Sequence, residues 1–240
     1  MEKLDLRYYL YHAIEPIDYS KEDSLYERLE LFLKTGYIYP GTELNDNLPP
    51  KYKGKLFGCD PYVFFALTDN HLLPKNITNI YGEESAFMSQ IEGNLAFMFD
   101  EEIIKKFKII NLPSWLYNEV VINSKVPIKL VKAMYYPKES TIELMEKYKT
   151  NKETLEQYRC IKKYLIEENK RITYKLSLAL ENPETYMDDF YKKVDRIKEI
   201  LNTFGYNIPI VTSSGYILDK KEETKFINDN YDEVKLLIKK

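Results

Sequence analysis

The sequence predicts an α+β fold, with a mainly antiparallel sheet in its first half and a helical region after it. Three observations carry that prediction. Before Pro137, short apolar runs alternate with Gly, Pro and Asn punctuation, which is the pattern of strands separated by turns. After Pro137, charges recur between apolar positions at helical spacing. The strand candidates also lie too close together for repeated crossover helices, which favours antiparallel pairing. The expected organisation is a sheet domain over 1–138 and a mostly helical appendage over 139–240.

In chain order, LRYYLYHAI (6–14) reads as an aromatic opening strand. A helix follows, with Ser20 as its expected N-cap and Asp23 three residues on, close to a capping box. Leu25, Leu29, Phe32 and Leu33 form its apolar stripe and Gly36 its stop. A turn-rich stretch leads to YVFFALT (62–68), a buried strand. LAFMFD (95–100), FKIIN (107–111), EVVI (119–122) and part of KLVKAMYY complete the strand candidates. The second half predicts helices over 140–150, 153–181 and 184–204, with Pro183 opening the third, then a strand or hairpin in NIPIVTSSGYIL and a last helix after Asp219.

With 240 residues, 44% hydrophobic and 30% charged, the chain has the composition of one large or two modest globular domains. Two cysteines, Cys59 and Cys160, cannot build a disulfide framework. No apolar run approaches the roughly 18 residues of a membrane span, and the acids in MEKLDLRYYLYH do not suit a signal peptide. The expected location is cytoplasmic, away from membranes. Tyrosine (22 residues) and lysine are abundant, as A/T-rich codons would make them, so tyrosine alone does not mark a stacking surface. The net charge of −3 and pI near 5.7 oppose a general grip on nucleic acid and confine any such binding to a local cleft.

No Walker or Rossmann glycine loop is present. His12 and His71 are the sole histidines, so no tetrahedral zinc set can be drawn and no metal ligand is assigned, while the abundant acids leave a carboxylate-only Mg²⁺ site open. The acidic pairs Glu83-Glu84 and Asp188-Asp189 and the run Asp100-Glu101-Glu102 read as solvated turns and helix ends. One stretch stands apart: in WLYNEVVINSKVPIKLVKAMYYP (115–137), Glu119 opens a β-branched run where an acid is disfavoured. An acid at the mouth of a strand either caps an edge in solvent or points into a cleft.

Taken in order, YLYHAI, the helix running into LKTGYIYPG, DPYVFFALTDNHLL and EVVINSKVPIKLVKAMYYP resemble the ADP-ribosyltransferase fold, and within it the DarT-like group that modifies nucleic acids. More distantly they are similar to the His-Tyr-Glu class that includes the poly(ADP-ribose) polymerases. The resemblance spans about residues 6–137, and the order of its short motifs carries more weight than any one of them. It implies a split-sheet NAD-binding domain in which Glu119 is catalytic, binding the nicotinamide ribose and stabilising positive charge as the glycosidic bond breaks. His12 matches the histidine that hydrogen-bonds NAD. Phe64 falls where the family stacks a tyrosine on nicotinamide, Tyr81 is a second stacking candidate, and Thr68 is counted with the NAD-binding residues.

Two departures bear on this reading. The stretch Leu67-Thr68-Asp69-Asn70-His71 lacks the arginine of the DarT-like group, and Tyr117 stands two before Glu119, where arginine-directed toxins place Glu or Gln. The implied activity is NAD-dependent ADP-ribosyl transfer to a macromolecule, nucleic acid or protein, by a bacterial or phage-associated toxin or defence enzyme. The helical half would then serve substrate recognition or regulation, and an antitoxin or regulatory partner would be expected. The alternatives are an inactive binding module with the same fold and a helical interaction protein.

Overall fold

The computed structural model describes residues 2–21, 23–48, 50–52, 60–67, 95–111, 119–157 and 161–238. The chain divides into two compact units. One comprises Leu4–Pro137 and Ile197–Val211, the other Met1–Lys3, Lys138–Arg196 and Thr212–Lys240.

The first unit is built on β1 (Leu10–Ile14), β2 (Tyr37–Ile38), β3 (Val63–Leu67), β4 (Leu95–Phe99), β5 (Ile109–Asn111), β6 (Glu119–Ile122), β7 (Val126–Pro127), β8 (Val131–Tyr135) and β9 (Ile210–Val211). Seven strands form one sheet in the order β5-β6-β3-β1-β4-β8-β9, while β2 and β7 pair separately. The expected α+β class with a mainly antiparallel sheet is what the chain adopts: in the large sheet the β8–β9 pair is parallel and every other described pair antiparallel. β4 lies between β1 and β8, and its LAFMF run carries no polar alternation because all five residues are buried. The edge strand β9 comes from the late segment. Met134 N–H donates to the Pro209 carbonyl at 2.8 Å and Tyr136 N–H to the Val211 carbonyl at 2.7 Å.

Helix α1 (Ser24–Thr35) buries Leu29, Phe32 and Leu33. It begins four residues later than Ser20, the expected N-cap. Ser20 instead donates from its amide and hydroxyl to Asp18 Oδ1, and Lys21 N–H bonds the Asp18 carbonyl, closing a local turn that competes with helix. Ser24 extends that turn by donating its hydroxyl to the Asp18 and Lys21 carbonyls. Gly36 ends the helix as expected, at φ 74°, with its N–H on the Phe32 carbonyl. Two short helices complete this unit: α2 (Gly41–Asn47), and α3 (Glu101–Lys106), which Asp100 caps by accepting from Glu102 N–H.

The second unit contains α4 (Thr141–Gln157), α5 (Lys162–Glu181), α7 (Lys220–Asp229) and α8 (Tyr231–Ile238), with α6 (Pro183–Thr203) belonging to it as far as Arg196. The expected interruption near 150–153 is absent, since TNKET holds neither Gly nor Pro, and α4 runs on to Gln157. Leu144 and Met145 of α4, Ile172 and Leu176 of α5 and Val234 of α8 form a buried cluster. Polar groups set the start of α4. Ser140 Oγ accepts from Glu143 N–H while Glu143 Oε2 accepts from Ser140 N–H, a capping box in the literal S-x-x-E spacing. Glu143 Oε1 also takes Ser214 N–H at 2.9 Å, and Glu223 of α7 takes Thr141 N–H and the Tyr191 hydroxyl. Burial alone would push the Glu139 carboxyl up, but hydrogen bonds from Arg171, Lys147 and Lys175 pull it down to about 2, tying α4 to α5.

Two stability outcomes are expected. A Cβ at position 36 would meet only ordinary contact, 3.8 Å from Tyr206 Oη, so Gly36→Ala isolates the left-handed backbone cost and should lower stability by about 1 kcal/mol in urea unfolding. Glu143→Ala strands the buried Ser140 N–H and removes the nearer acceptor of the part-buried Ser214 N–H, and should cost about 1–3 kcal/mol, whereas exposed Glu153→Ala should stay within about 0.5 kcal/mol. Equal midpoints for the Glu143 and Glu153 variants would contradict the capping account.

Candidate functional site

The strand order makes neighbours of the three strands that carry His12, Phe64 and Glu119, in the sequence β1-β3-β6. β3 pairs with β6 over four residues, Val63↔Ile122 to Ala66↔Glu119. β1 pairs with β4 over five, and His12 stands opposite Phe97. Between β1 and β3, however, the ladder holds two pairs among the described residues, Leu10↔Leu67 and Tyr11↔Ala66, and His12 is not paired in it.

There the imidazole replaces the main chain. His12 Nδ1 lies 2.9 Å from the Phe64 carbonyl oxygen. A carbonyl only accepts, so Nδ1 carries the proton and Nε2 presents a lone pair. Nε2 is shielded from solvent and has no hydrogen-bond partner among the described residues. The ring packs at 6.0 Å from Phe32 of α1 and 5.8 Å from Phe65. Burial lowers the His12 pKa to about 4; the Phe64 bond opposes that shift and the Arg28 charge adds to it. At neutral pH the group is therefore an uncharged acceptor enclosed by rings. A buried acceptor left unpaired costs free energy that a ligand O–H or N–H donor would recover.

Register further sorts the expected residues. Tyr11, Ala66 and position 119 form one row across the three strands, and Phe64 shares that face of β3. His12 belongs by alternation to the other face and reaches Phe64 through its main-chain carbonyl. Phe64 is half-buried and meets Tyr62 edge-on at 6.5 Å. The structure thus brings the three onto adjacent strands while dividing His12 by face from both Phe64 and position 119. Thr68 and Tyr81, with His71 and Tyr117, lie outside the described residues.

Sequence reasoning missed Arg28. It is buried at 7% exposure, its guanidinium sits 5.5 Å from the Phe32 ring, and Nη1 donates to the Glu15 carbonyl at 3.1 Å. The available signal was an arginine inside the apolar stripe of a helix, three residues after Leu25 and four before Phe32. Among the described residues no group of three or more His, Cys, Asp or Glu side chains could hold a metal ion. No described helix is long and apolar enough to cross a membrane. No protein-family model matches the chain, and neither curated proteins nor solved structures give a match.

A pH dependence follows from the His12 environment. The unfolded imidazole titrates near 6.5 and the folded one near 4, so over that window the unfolded state binds the extra proton and stability falls as pH drops. Between pH 7 and pH 4 the wild type should lose about 3 kcal/mol more than His12→Gln. Parallel losses in chemical unfolding would contradict a buried neutral imidazole.

Proposed function

We propose that the protein is an NAD-dependent ADP-ribosyltransferase acting on a macromolecular acceptor. The reading rests on one observation above the others: the strands bearing His12, Phe64 and Glu119 are immediate neighbours, and beside the β1–β3 ladder His12 holds a neutral acceptor with no partner among the described residues. A ribose hydroxyl is a donor of the kind that Nε2 lacks. This arrangement accords with the motif order that suggested the family.

In this mechanism the nicotinamide–ribose bond breaks, its electron pair leaves with nicotinamide, and positive charge spreads over the ribose ring. The Glu119 carboxylate binds the ribose and favours that charged state over the ground state. Phe64 offers an aromatic face to the nicotinamide, for which a π-surface suffices without a hydroxyl. A nucleophilic atom of the acceptor then bonds the same ribose carbon and gives up its proton. The balanced products are ADP-ribosylated acceptor, nicotinamide and a proton. The acceptor is a nucleic acid or a protein, and a bacterial or phage-associated toxin or defence role accords with this chemistry.

The test incubates the full chain with NAD labelled in the adenylate and a cell extract. Wild type should label a macromolecular fraction, and Glu119→Ala should lower the rate about a hundredfold or more. Nuclease and protease treatment then assigns the acceptor class. Equal labelling by both proteins, or none by either across nucleic-acid and protein fractions, overturns the proposal.

A further inference from the structure

We infer that the outward face of α5 is a self-association surface, on which a second copy of this chain docks its own α5 in the antiparallel sense.

Helix geometry defines the face. Leu165, Ile172, Leu176 and Ala179 are the buried residues of α5, so the side opposite Ile172 points away from the core of its unit. At about 100° per residue, positions two or nine residues from Ile172 fall within about 20° of that opposite side. Those positions are Lys163, Lys170, Tyr174 and Glu181, and all four are exposed. Glu167 and Ser177, five residues from Ile172 on either side, complete a stripe with alternating steps of four and three, the spacing of a seam between paired helices. Apolar groups gather on the same helix. Of the nine large apolar side chains exposed among the described residues, five fall within 161–178, and Tyr164 and Tyr174 are 69% and 65% exposed. A concentration of that kind marks a surface that another molecule covers.

The identity of that molecule follows from the symmetry of the stripe about Ile172. A two-fold axis level with Ile172 sets Lys163 of one copy against Glu181 of the other, and Lys170 against Tyr174, each contact occurring twice. The first is a pair of opposite charges. The second lays a lysine stem and its ammonium on an aromatic ring. Lys170 also pairs with Glu167 of its own helix at 2.8 Å, which keeps it along the seam. Tyr164 and Leu178 lie on one flank of the stripe and come within a turn of each other across the axis, so they pack together. Parallel docking would instead oppose Lys163 to Lys163 and Glu181 to Glu181, so charge selects the antiparallel sense. An unrelated partner would not require this helix to be complementary to itself. A helix of 20 residues is about 30 Å long, and a single pair of that length lies at the small end of specific interfaces, so the dimer is weak and reversible.

The experiment is analytical ultracentrifugation of the full chain at low salt, from about 1 μM to about 1 mM. Wild type should pass from monomer to dimer across that range. Lys163→Glu and Glu181→Lys each turn two attractive contacts into two repulsive ones and should each raise the dimer Kd about tenfold. Mixed in equal amounts, the two variants carry complementary charges and should form a heterodimer with a Kd near that of wild type. Both sites are exposed, so circular dichroism of each variant should match wild type. A monomer throughout the range overturns the proposal, as does a dimer that neither substitution weakens. Weakening in both variants without recovery in the mixture overturns the antiparallel seam.

Discussion

The hydrogen bond from His12 Nδ1 to the Phe64 carbonyl is where the sheet changes character, because on one side of it strands are joined by main chain and on the other by a side chain. Each neighbouring pairing is longer: β1 with β4 and β3 with β6 supply five and four residue pairs against two. Between β1 and β3 a short ladder is therefore supplemented by one imidazole. Because that bond consumes the Nδ1 proton, it also dictates the chemistry left at Nε2. One interaction bears both on how these two strands meet and on what the meeting point can recognise.

The helical unit follows a different logic. Alongside its buried apolar residues, carboxylates hold several segments at once. Glu143 serves the first turn of α4 and the turn at Ser214, Glu223 serves Thr141 and Tyr191, and Glu139 gathers three cations from α4 and α5. Removing one partner from such a set leaves buried charge or buried N–H groups behind, so these residues are costlier to change than their polarity suggests.

Much of the architecture was legible because it follows from local chemistry. The apolar runs gave the strands, their spacing gave antiparallel pairing, and Gly36 marked a helix end that needs positive φ. The capping box at Ser140 and Glu143 has the S-x-x-E spacing in the sequence, yet the helix from 140 was expected on apolar periodicity alone. The late start of α1 was not, because Asp18 draws Ser20 into a turn that competes on equal terms with capping. Of the site, the strand neighbours could be anticipated from motif order. The state of His12 could not, since it depends on burial among the rings of other elements and on a carbonyl 52 residues away.

The late strand β9 has a bearing on how this chain can be divided. Residues 197–211 return to the sheet unit after the chain has entered the helical one, so no single cut yields the sheet unit whole. A fragment ending at Pro137 would retain His12, Phe64 and Glu119 yet strip β8 of its outer neighbour. The amides of Met134 and Tyr136 would then have no carbonyls to meet, along an apolar edge of the kind that recruits other chains. Insolubility of such a fragment would report a missing strand and carry no information about the chemistry of the site.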